Sequence, residues 1–255
     1  MDKLYQNKEW LEKKYLEEKL STRTIQKLCG VSNRTICKWL IKFSIPCRSY
    51  SEANHLGQIN HCKLSQEAIE WINGELLGDG CIRLISEYSA LFAYTSKYEE
   101  YIEYVSNTLK SFGIEQSGKI NRVYHKKYNS YSYHYCSRAY PGLLQIYKHF
   151  YPEGKKIIPR NIKLVPIICR QWYIGDGCLM SNKNGNKSIK LCTNGFPIEN
   201  IKFLIKKLIE LGLKVTNRIS DNTIGISSYS TKDFLNYIGE CPVKCYQYKF
   251  DYEVN

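Results

Sequence analysis

The N-terminal region carries apolar residues at the spacing of helical turns. Residues 8–20 place Trp10 or Leu11, Tyr15 or Leu16, and Leu20 on one face, and charged residues occupy most other positions. Apolar positions three or four residues apart are typical of an amphipathic helix. The pattern therefore predicts a helix over residues 8–20.

Two shorter helical patterns follow, with a glycine between them. Ser21 or Thr22 can cap a helix that runs to about Cys29, because a side-chain oxygen at this position accepts a free backbone N–H. Gly30 can adopt the positive φ of a tight turn, and Ser32 can cap the next helix. This order predicts a helix-turn-helix unit.

The second of these helices combines an apolar stripe with a polar face. Ile36, Leu40 and Phe43 form the stripe. The residues expected to face outward are Asn33, Arg34, Thr35 and Lys38. Such side chains at a helix N-terminus suit contacts with base edges and phosphates in the major groove of DNA. The alternative is a helical hairpin that only packs on its neighbour.

A polar stretch separates this unit from the rest of the chain. Pro46 ends the helical pattern, and mostly polar residues follow as far as Lys63. We therefore expect a helix-turn-helix domain over residues 1–50 and a linker over residues 51–64.

The remainder of the chain repeats one order of predicted elements. Each copy opens with an apolar helix that ends in Gly-Asp-Gly-Cys, at residues 78–81 in the first copy and 175–178 in the second. The first copy predicts strands near 81–86 and 89–95, a helix near 98–112, strands near 119–126 and 130–137, and a helix near 141–150. The second copy has the same order near 178–182, 187–193, 198–211, 214–220, 223–227 and 231–238. This period predicts duplicated half-domains over residues 65–164 and 165–255.

Charge and cysteine content narrow the class of protein. The 255 residues include 37 lysines and arginines against 24 acidic residues, a formal net charge of +13. A positive surplus spread along the whole chain predicts a polyanionic partner. Eleven cysteines without a CxxC pair argue against a disulfide framework or a structural zinc site, and predict an intracellular, reducing compartment. No apolar run approaches the roughly 18 residues of a membrane span, so we expect no membrane partner.

The two Gly-Asp-Gly helices resemble the LAGLIDADG homing endonucleases. Residues 72–80 lie on the first motif and residues 169–177 on the second, with the helix-turn-helix as an extra module that some members carry. The first glycine of the family motif is Gly74 in one copy but Gln171 in the other. The first motif aspartate is replaced by Leu77 and Ile174, whereas the second aspartate is present in both copies.

The resemblance implies an α+β fold with two pseudo-symmetric αββαββα half-domains that form a DNA-binding saddle, preceded by a small all-α helix-turn-helix domain. It also implies that Asp79 and Asp176 meet at the ends of two adjacent helices. Carboxylates at negatively polarised helix C-termini suit Mg²⁺ (or Mn²⁺), and the carbonyls of Gly78 and Gly175 are expected to complete the ligands.

The resemblance further implies a basic residue near each catalytic site. In the first copy Lys156 is the expected residue and Lys155 its rival. In the second copy Lys244 is expected by position, with Lys249 as its rival. Polar groups that follow the second strands are expected to orient water, namely Ser96 and Asn194.

Basic residues in or beside the predicted strands are candidate DNA contacts. In the first half these are Arg83, Arg122, Lys126, Lys127 and Arg138, and in the second half Lys187, Lys190 and Arg218. Successive residues of a strand point to opposite faces, so the set is expected to contact DNA but not every member. The tyrosines between Tyr124 and Tyr140 are expected mainly in the core.

These features together predict a site-specific DNA endonuclease. The expected reaction is metal-dependent phosphodiester hydrolysis that breaks both strands of double-stranded DNA at a long recognition site. Because one chain carries both motifs, we expect a monomer without an obligate protein partner. The alternatives are a group I intron RNA maturase, for which RNA is the partner, and a non-catalytic DNA-binding regulator on the same scaffold.

Overall fold

The structure is a computed structural model of the chain, and it describes residues 3–57, 62–181, 184–218 and 221–252. Side chains at positions 51, 54, 55, 217 and 218 lie outside this description. Contacts within the chain define two compact units. The first comprises the N-terminal region as far as residue 61, and the second comprises most of the chain from Cys62 onward.

The helix predicted over residues 8–20 is shorter than expected. Helix α1 (Lys8–Glu12) continues into a wide turn over Lys13–Glu17 and stops there. Lys19 adopts a positive φ of 54°, a conformation that ends a right-handed helix. Leu11 and Tyr15 are buried, so the predicted apolar face is confirmed even though the helix ends early.

The predicted helix-turn-helix is confirmed in its details. The side chain of Ser21 accepts a hydrogen bond from Thr24 N at the start of α2 (Thr22–Cys29). Ser32 accepts one from Thr35 N at the start of α3 (Asn33–Lys42). Gly30 has a φ of 65°, as the turn between the helices requires.

The first unit also contains a helix in the segment expected to be a linker. Helix α4 (Tyr50–Gly57) begins where Ser49 Oγ accepts a hydrogen bond from Glu52 N. Just before it, Arg48 donates hydrogen bonds to the carbonyls of Tyr15 and Leu20. The compact unit therefore extends past residue 50, because these contacts tie the polar stretch to the preceding helices.

The second unit contains the two predicted copies of one element order. The first copy comprises α5 (Gln66–Leu77), β1 (Cys81–Ser86), β2 (Ser89–Ser96), α6 (Glu99–Ser111), β3 (Asn121–His125), β4 (Ser130–Cys136) and α7 (Pro141–Phe150). The second comprises α8 (Pro166–Asp176), β5 (Gly177–Ser181), β6 (Lys187–Cys192), α9 (Ile198–Glu210), β7 (Val215–Arg218), β8 (Thr223–Ile226) and α10 (Ser228–Ile238). The predicted αββαββα half-domains and the α+β fold class are confirmed.

Each copy folds its strands into an antiparallel sheet with the same topology. In the described residues the strand orders are β1-β2-β4-β3 and β5-β6-β8-β7. In the first sheet Tyr94 pairs with Tyr135, and the ring of Tyr94 lies 5.3 Å from that of Tyr101 in α6. This face therefore packs on the helices. The opposite face carries Thr95 and His134, which pair with each other and are not buried.

The two motif helices, α5 and α8, pack against each other at glycines. A Cβ atom added to Gly74 would lie 2.8 Å from both Gln171 Cβ and the carbonyl oxygen of Ile168. A Cβ on Gly78 would lie 3.2 Å from Gly175 Cα, and one on Gly175 would lie 3.1 Å from Gly78 Cα. The backbones can approach this closely only because these positions lack side chains.

Among the described residues, no helix is long and apolar enough to span a bilayer.

We expect Gly74→Ala to destabilise the second unit. The added methyl group would overlap backbone and Cβ atoms of α8, so the helices would have to separate. Overpacking of this kind costs about 1–3 kcal/mol of unfolding free energy. Urea unfolding of the full chain measures the change.

Gly195→Ala is the matched control, because a Cβ at that position meets no atom within 4 Å. Equal stability of the two variants would contradict a tight contact between the motif helices.

Candidate active site

The ends of α5 and α8 present one aspartate each, but the two helices end differently. Helix α5 stops at Leu77, and Gly78 leaves helical geometry with a φ of −100° and a ψ of −137°. The carbonyl of Glu75 accepts hydrogen bonds from Gly78 N at 3.1 Å and Gly80 N at 2.8 Å, which places Asp79 in a tight turn. Helix α8 continues through Asp176 and is followed directly by β5.

The two aspartates lie close enough for their charges to interact. Asp79 is accessible to solvent and Asp176 is half-buried. Burial, and secondly the charge of Asp79, raise the pKa of Asp176 to about 7. The surrounding protein also raises the pKa of Asp79, while the nearby ammonium groups of Lys249 and Lys156 lower it. The helix ends thus form a concentration of negative charge that a cation would stabilise.

A lysine lies at the end of α5. Lys156 Nζ donates to the carbonyl oxygens of Gly78 at 3.3 Å and Gly80 at 3.1 Å. The ammonium also lies over the ring of Phe196, 5.5 Å from its centroid. The expected choice of Lys156 over Lys155 agrees with this placement, since Lys155 is exposed.

The end of α8 is contacted by Lys249, the rival candidate, and not by Lys244. Lys249 is only 7% exposed, and its Nζ donates to the carbonyl oxygens of Ile174 at 2.5 Å and Gly175 at 3.4 Å. Lys244 is exposed at the start of a short helix (Lys244–Lys249), one and a half turns earlier. The short helix brings Lys249 to the end of α8. The spacing of residues along the sequence does not reveal this path.

Burial shifts the pKa values of both site lysines in the same direction. Desolvation lowers the pKa of Lys156 and of Lys249, because the charged ammonium is removed from water. The aspartates oppose this effect, with Asp176 contributing most at Lys156 and Asp79 most at Lys249. Each lysine thus interacts most strongly with the aspartate of the other half, although it bonds to the helix of its own half.

The residues present fit a divalent cation in part. Asp79 and Asp176 supply hard oxygen ligands whose mutual repulsion a cation would relieve. The carbonyl oxygens of Gly78 and Gly175, expected as further ligands, accept hydrogen bonds from the lysines in this structure. A carbonyl oxygen has two lone pairs, so these bonds leave room for a second contact.

A buried polar cluster lies one turn before the aspartates, and the sequence reasoning missed it. Glu75 is fully buried, and its Oε1 accepts hydrogen bonds from Gln171 Nε2 at 2.6 Å and Tyr101 OH at 2.7 Å. Desolvation raises the pKa of Glu75 to about 8, against the hydrogen bonds that lower it. Glu75 Oε2 and Gln171 Oε1 are buried and have no hydrogen-bond partner. A proton on Glu75 would let these two oxygens bond to each other.

Comparison with known proteins identifies the family of the chain. Residues 69–234 match the LAGLIDADG DNA endonuclease family. The chain belongs to this family. An uncharacterized protein of Methanocaldococcus jannaschii, MJ1098, is 31% identical over 209 residues, which cover 76% of this chain and 75% of that protein.

Two further proteins are similar to this chain over part of its length. The cytochrome b mRNA maturase bI2 of Debaryomyces hansenii is 25% identical over 171 residues, covering 60% of each chain. The homing endonuclease I-WcaI bound to its DNA recognition sequence superposes with a TM-score of 0.67 at 20% identity. That superposition covers 84% of this chain and 98% of the other, and it shows a shared fold.

In the N-terminal unit of this LAGLIDADG protein, two of the four expected DNA contacts are exposed. Arg34 and Lys38 lie on the exposed face of α3. The hydroxyl of Thr35 is engaged with Ser32 Oγ at 2.9 Å, within the helix cap. Asn33 is half-buried, and its Oδ1 is buried without a partner. Capping therefore occupies the start of the helix, and the exposed basic groups follow it.

The basic residues of the first half-domain divide between the sheet faces and a turn. Arg83 is exposed on β1, Arg138 is exposed just after β4, and Lys126 and Lys127 form an exposed turn between β3 and β4. Arg122 pairs with Tyr133 and therefore lies on the face that packs on the helices, with its guanidinium 3.7 Å from the ring of Tyr131. Arg122 is exposed, but the strand register places it on the face opposite the open one.

The second half-domain shows the same division. Lys190 pairs with Cys178 on the face opposite the buried residues Ile189 and Leu191. Lys187 shares the face of Ile189 and donates a hydrogen bond to the carbonyl of Asp251 at 2.8 Å. Lys187 therefore does not lie on the open face. Arg218 ends β7, and its side chain lies outside the described part.

A connected polar row crosses the open face of the first sheet, and charge-based reasoning did not find it. His134 Nδ1 is 3.0 Å from Thr95 Oγ1, and its Nε2 is 2.8 Å from Ser132 Oγ. Ser132 Oγ is also 2.6 Å from His125 Nε2. The sequence did carry a signal for this row, because tyrosines alternate with other residues over Ser130–Cys136. Successive strand residues point to opposite faces, so all the non-tyrosine residues lie on one face.

The two polar residues expected to orient water differ in their surroundings. Ser96 is buried, and its Oγ accepts from Tyr98 N at 3.0 Å and lies 3.5 Å from Tyr246 OH. Asn194 is exposed in the turn after β6. The structure therefore places Ser96 in a packing role beside the site and leaves Asn194 accessible.

We expect Glu75→Gln to flatten the pH dependence of stability. Because the folded-state pKa of Glu75 is raised from 4.5 to about 8, the folded protein keeps a proton that the unfolded chain releases. Between these values Glu75 lowers the unfolding free energy by about 1.4 kcal/mol per pH unit. Glutamine keeps the hydrogen bonds without titrating, so the loss of stability from pH 5 to pH 8 becomes smaller by a few kcal/mol.

Urea unfolding at both pH values measures this difference. Glu67→Gln, an exposed position on the same helix, is the control and leaves the wild-type slope unchanged. An unchanged slope in Glu75→Gln would show that Glu75 ionises normally.

Proposed function

We propose that this LAGLIDADG protein is a site-specific DNA endonuclease that makes a double-strand break with Mg²⁺ or Mn²⁺. The observation that carries the proposal is the pairing of two aspartates at adjacent helix ends, each end contacted by a lysine ammonium. Two pseudo-symmetric sites in one chain suit the two antiparallel strands of a DNA duplex. The chain would then act as a monomer, inside the cell where its substrate lies.

The carboxylates of Asp79 and Asp176 would hold the cation between the two helix ends. When bound, the cation lowers the pKa of water and neutralises charge on the phosphate. Burial already raises the pKa of Asp176 to about 7, so its carboxylate would bind a cation in competition with a proton. The carbonyl oxygens beside the aspartates add partial negative charge at the same place.

The lysines would stabilise charge and exchange protons with the reacting oxygens. Each ammonium is held by two main-chain carbonyls, which fixes its position at the helix end. Desolvation lowers the pKa values of Lys156 and Lys249, which makes proton transfer easier than for a lysine in water. Excess negative charge on a phosphate in the transition state would be offset by the same ammonium groups.

The open faces of the two sheets and helix α3 would contact the DNA. Lys190 and the row from Thr95 to His125 lie on open sheet faces and offer hydrogen-bonding groups to bases and phosphates. Arg34 and Lys38 add exposed positive charge in the separate N-terminal unit. Sequence recognition over a long site would follow from the combined surface.

A maturase function is the second candidate, and a relative supports it. The Debaryomyces hansenii protein named as a cytochrome b mRNA maturase matches 60% of this chain. Both aspartates and both site lysines are present here, which favours hydrolysis over RNA binding alone. A non-catalytic DNA-binding regulator would need neither feature.

The proposal predicts that four substitutions remove cleavage. The substrate is duplex DNA made by joining the sequences that flank the gene for this protein, incubated with Mg²⁺ or with chelator. Asp79→Asn, Asp176→Asn, Lys156→Met and Lys249→Met should each slow cleavage by about 10²–10⁴-fold, because each removes a group that contacts the reacting centre. Lys244→Met should cut as well as the wild type.

Asp233→Asn and Lys232→Met are matched controls, since both residues are exposed on α10. A tight complex with this DNA that is not cut under any divalent cation would favour the regulator. Binding to the structured RNA of a host intron without DNA binding would favour the maturase.

The exposed basic residues of α3 should strengthen binding without taking part in hydrolysis. We expect the double variant Arg34→Ala, Lys38→Ala to bind DNA more weakly and to give a narrower footprint. The slope of log affinity against log salt should become shallower by about one for each phosphate that the two side chains neutralise in the wild type. Cleavage at saturating protein should persist.

The double variant Lys8→Ala, Lys13→Ala removes the same charge from exposed positions on and just after α1 and serves as the control. An unchanged footprint in the Arg34 and Lys38 variant would show that α3 does not contact DNA.

A further inference from the structure

The two site lysines lie on segments without long helices or strands of their own. Lys156 follows a short turn (Pro152–Gly154) on an extended segment, and Lys249 ends the short helix Lys244–Lys249. Such segments make few internal hydrogen bonds, so contacts with other elements must fix the lysines in place. Both segments receive such contacts from the opposite half-domain.

The segment that carries Lys249 is held by a residue of the first half-domain. Glu100, in the first turn of α6, accepts hydrogen bonds from the backbone N–H groups of Lys244 at 2.8 Å and Cys245 at 3.0 Å. The two carboxylate oxygens each take one bond, so they cap the free N–H groups at the start of the short helix. At the other end, the carbonyl of Lys249 accepts a hydrogen bond from Tyr173 OH.

The segment that carries Lys156 is held by a residue of the second half-domain. Asn200, in the first turn of α9, accepts a hydrogen bond on its Oδ1 from Ile158 N at 3.0 Å. Ile158 is two residues beyond Lys156 and is fully buried. Asn200 is itself 6% exposed, so its amide has little access to water as an alternative partner.

These two contacts are related by the duplication. Helices α6 and α9 occupy the same place in their half-domains and have the same length of 13 residues. Their buried positions match in spacing, since Ile102, Val105 and Leu109 of α6 correspond to Ile201, Leu204 and Leu208 of α9. Glu100 and Asn200 thus act from the same turn of equivalent helices, one position apart.

We propose that Glu100 and Asn200 are positioning residues, each of which holds the catalytic lysine of the opposite half-domain in place. The proposal rests on the proposed endonuclease function, and specifically on one lysine serving each DNA strand. Neither residue contacts the aspartates or the site carbonyls by the hydrogen bonds described above. Each acts through the backbone that sets where its lysine lies.

The arrangement makes each cut depend on a named residue of the other half. Loss of the Glu100 carboxylate would free the start of the short helix and let Lys249 move from the end of α8. Small displacements of a catalytic group reduce rates strongly, by up to about 100-fold for 1 Å. The effect should be confined to the strand that Lys249 serves.

Strand-resolved cleavage tests this proposal with the full-length protein and Mg²⁺. Duplex DNA carries a different label on each strand, and single-turnover rates are measured for each. Lys249→Met and Lys156→Met first identify the strand that each lysine serves. We then expect Glu100→Ala to slow cleavage of the DNA strand that Lys249 serves by about tenfold. Asn200→Ala should slow cleavage of the DNA strand that Lys156 serves by the same factor. Both effects are smaller than the largest that misplacement of a catalytic group causes.

Control and conservative variants distinguish a positioning role from an effect of charge or of folding. Glu99→Ala removes the same charge from the same exposed first turn of α6 and should leave both rates unchanged. Glu100→Gln keeps the size of the side chain but offers one oxygen to two N–H donors, so it should resemble Glu100→Ala. Asn200→Asp keeps an acceptor for Ile158 N and should recover most of the rate that Asn200→Ala loses.

The outcomes distinguish this inference from the proposed function. If the wild-type protein cuts neither strand, the endonuclease proposal fails. If the wild type cuts and the Glu100 and Asn200 variants slow both strands equally, or neither, the positioning roles are wrong. Opposite strand preferences in the two variants, with unchanged DNA affinity and unfolding midpoint, would establish them.

Discussion

The close contact between α5 and α8 is the constraint on which the second unit depends. Gly74, Gly78 and Gly175 let the helix backbones touch, and any side chain at these positions would push the helices apart. Because the helices touch, their C-terminal ends lie together and bring Asp79 and Asp176 within reach of each other's charge. The position of the candidate active site is therefore a direct result of backbone packing between the two helices.

This contact gathers groups that would be unfavourable in isolation. Two carboxylates, two negatively polarised helix ends and the buried Glu75 share a small volume. The lysines offset part of this charge, and each does so for both halves, since it bonds to one helix end and interacts most with the aspartate of the other. Removal from water shifts the pKa values of these groups, which favours proton exchange and cation binding. Such shifts are typical of functional sites.

The sequence was sufficient for the order of elements, because most helices of the second unit bury apolar residues at helical spacing. The period of apolar residues follows from that burial, and the repeated Gly-Asp-Gly marked the helix ends. Lys249 was not the first choice from the sequence. The short helix Lys244–Lys249 carries the chain from the exposed Lys244 to the end of α8, and spacing along the sequence does not reveal this path. The faces of Arg122 and Lys187 could not be assigned from the sequence, because one residue of strand register decides the face of a sheet. Helix α4 was missed because the segment is short and mostly polar.

The pairing of Gly74 with Gln171 also bears on the history of the duplication. In a symmetric dimer of first halves, two copies of Glu75 would face each other across the helix contact without Gln171 as donor. In a symmetric dimer of second halves, two Gln171 side chains would occupy the space that only Gly74 leaves open. The first half supplies Gly74 and Glu75 and the second supplies Gln171. Neither half could therefore form the same contact with a second copy of itself. A substitution on one side of this contact must therefore remain compatible with the residues of the other half.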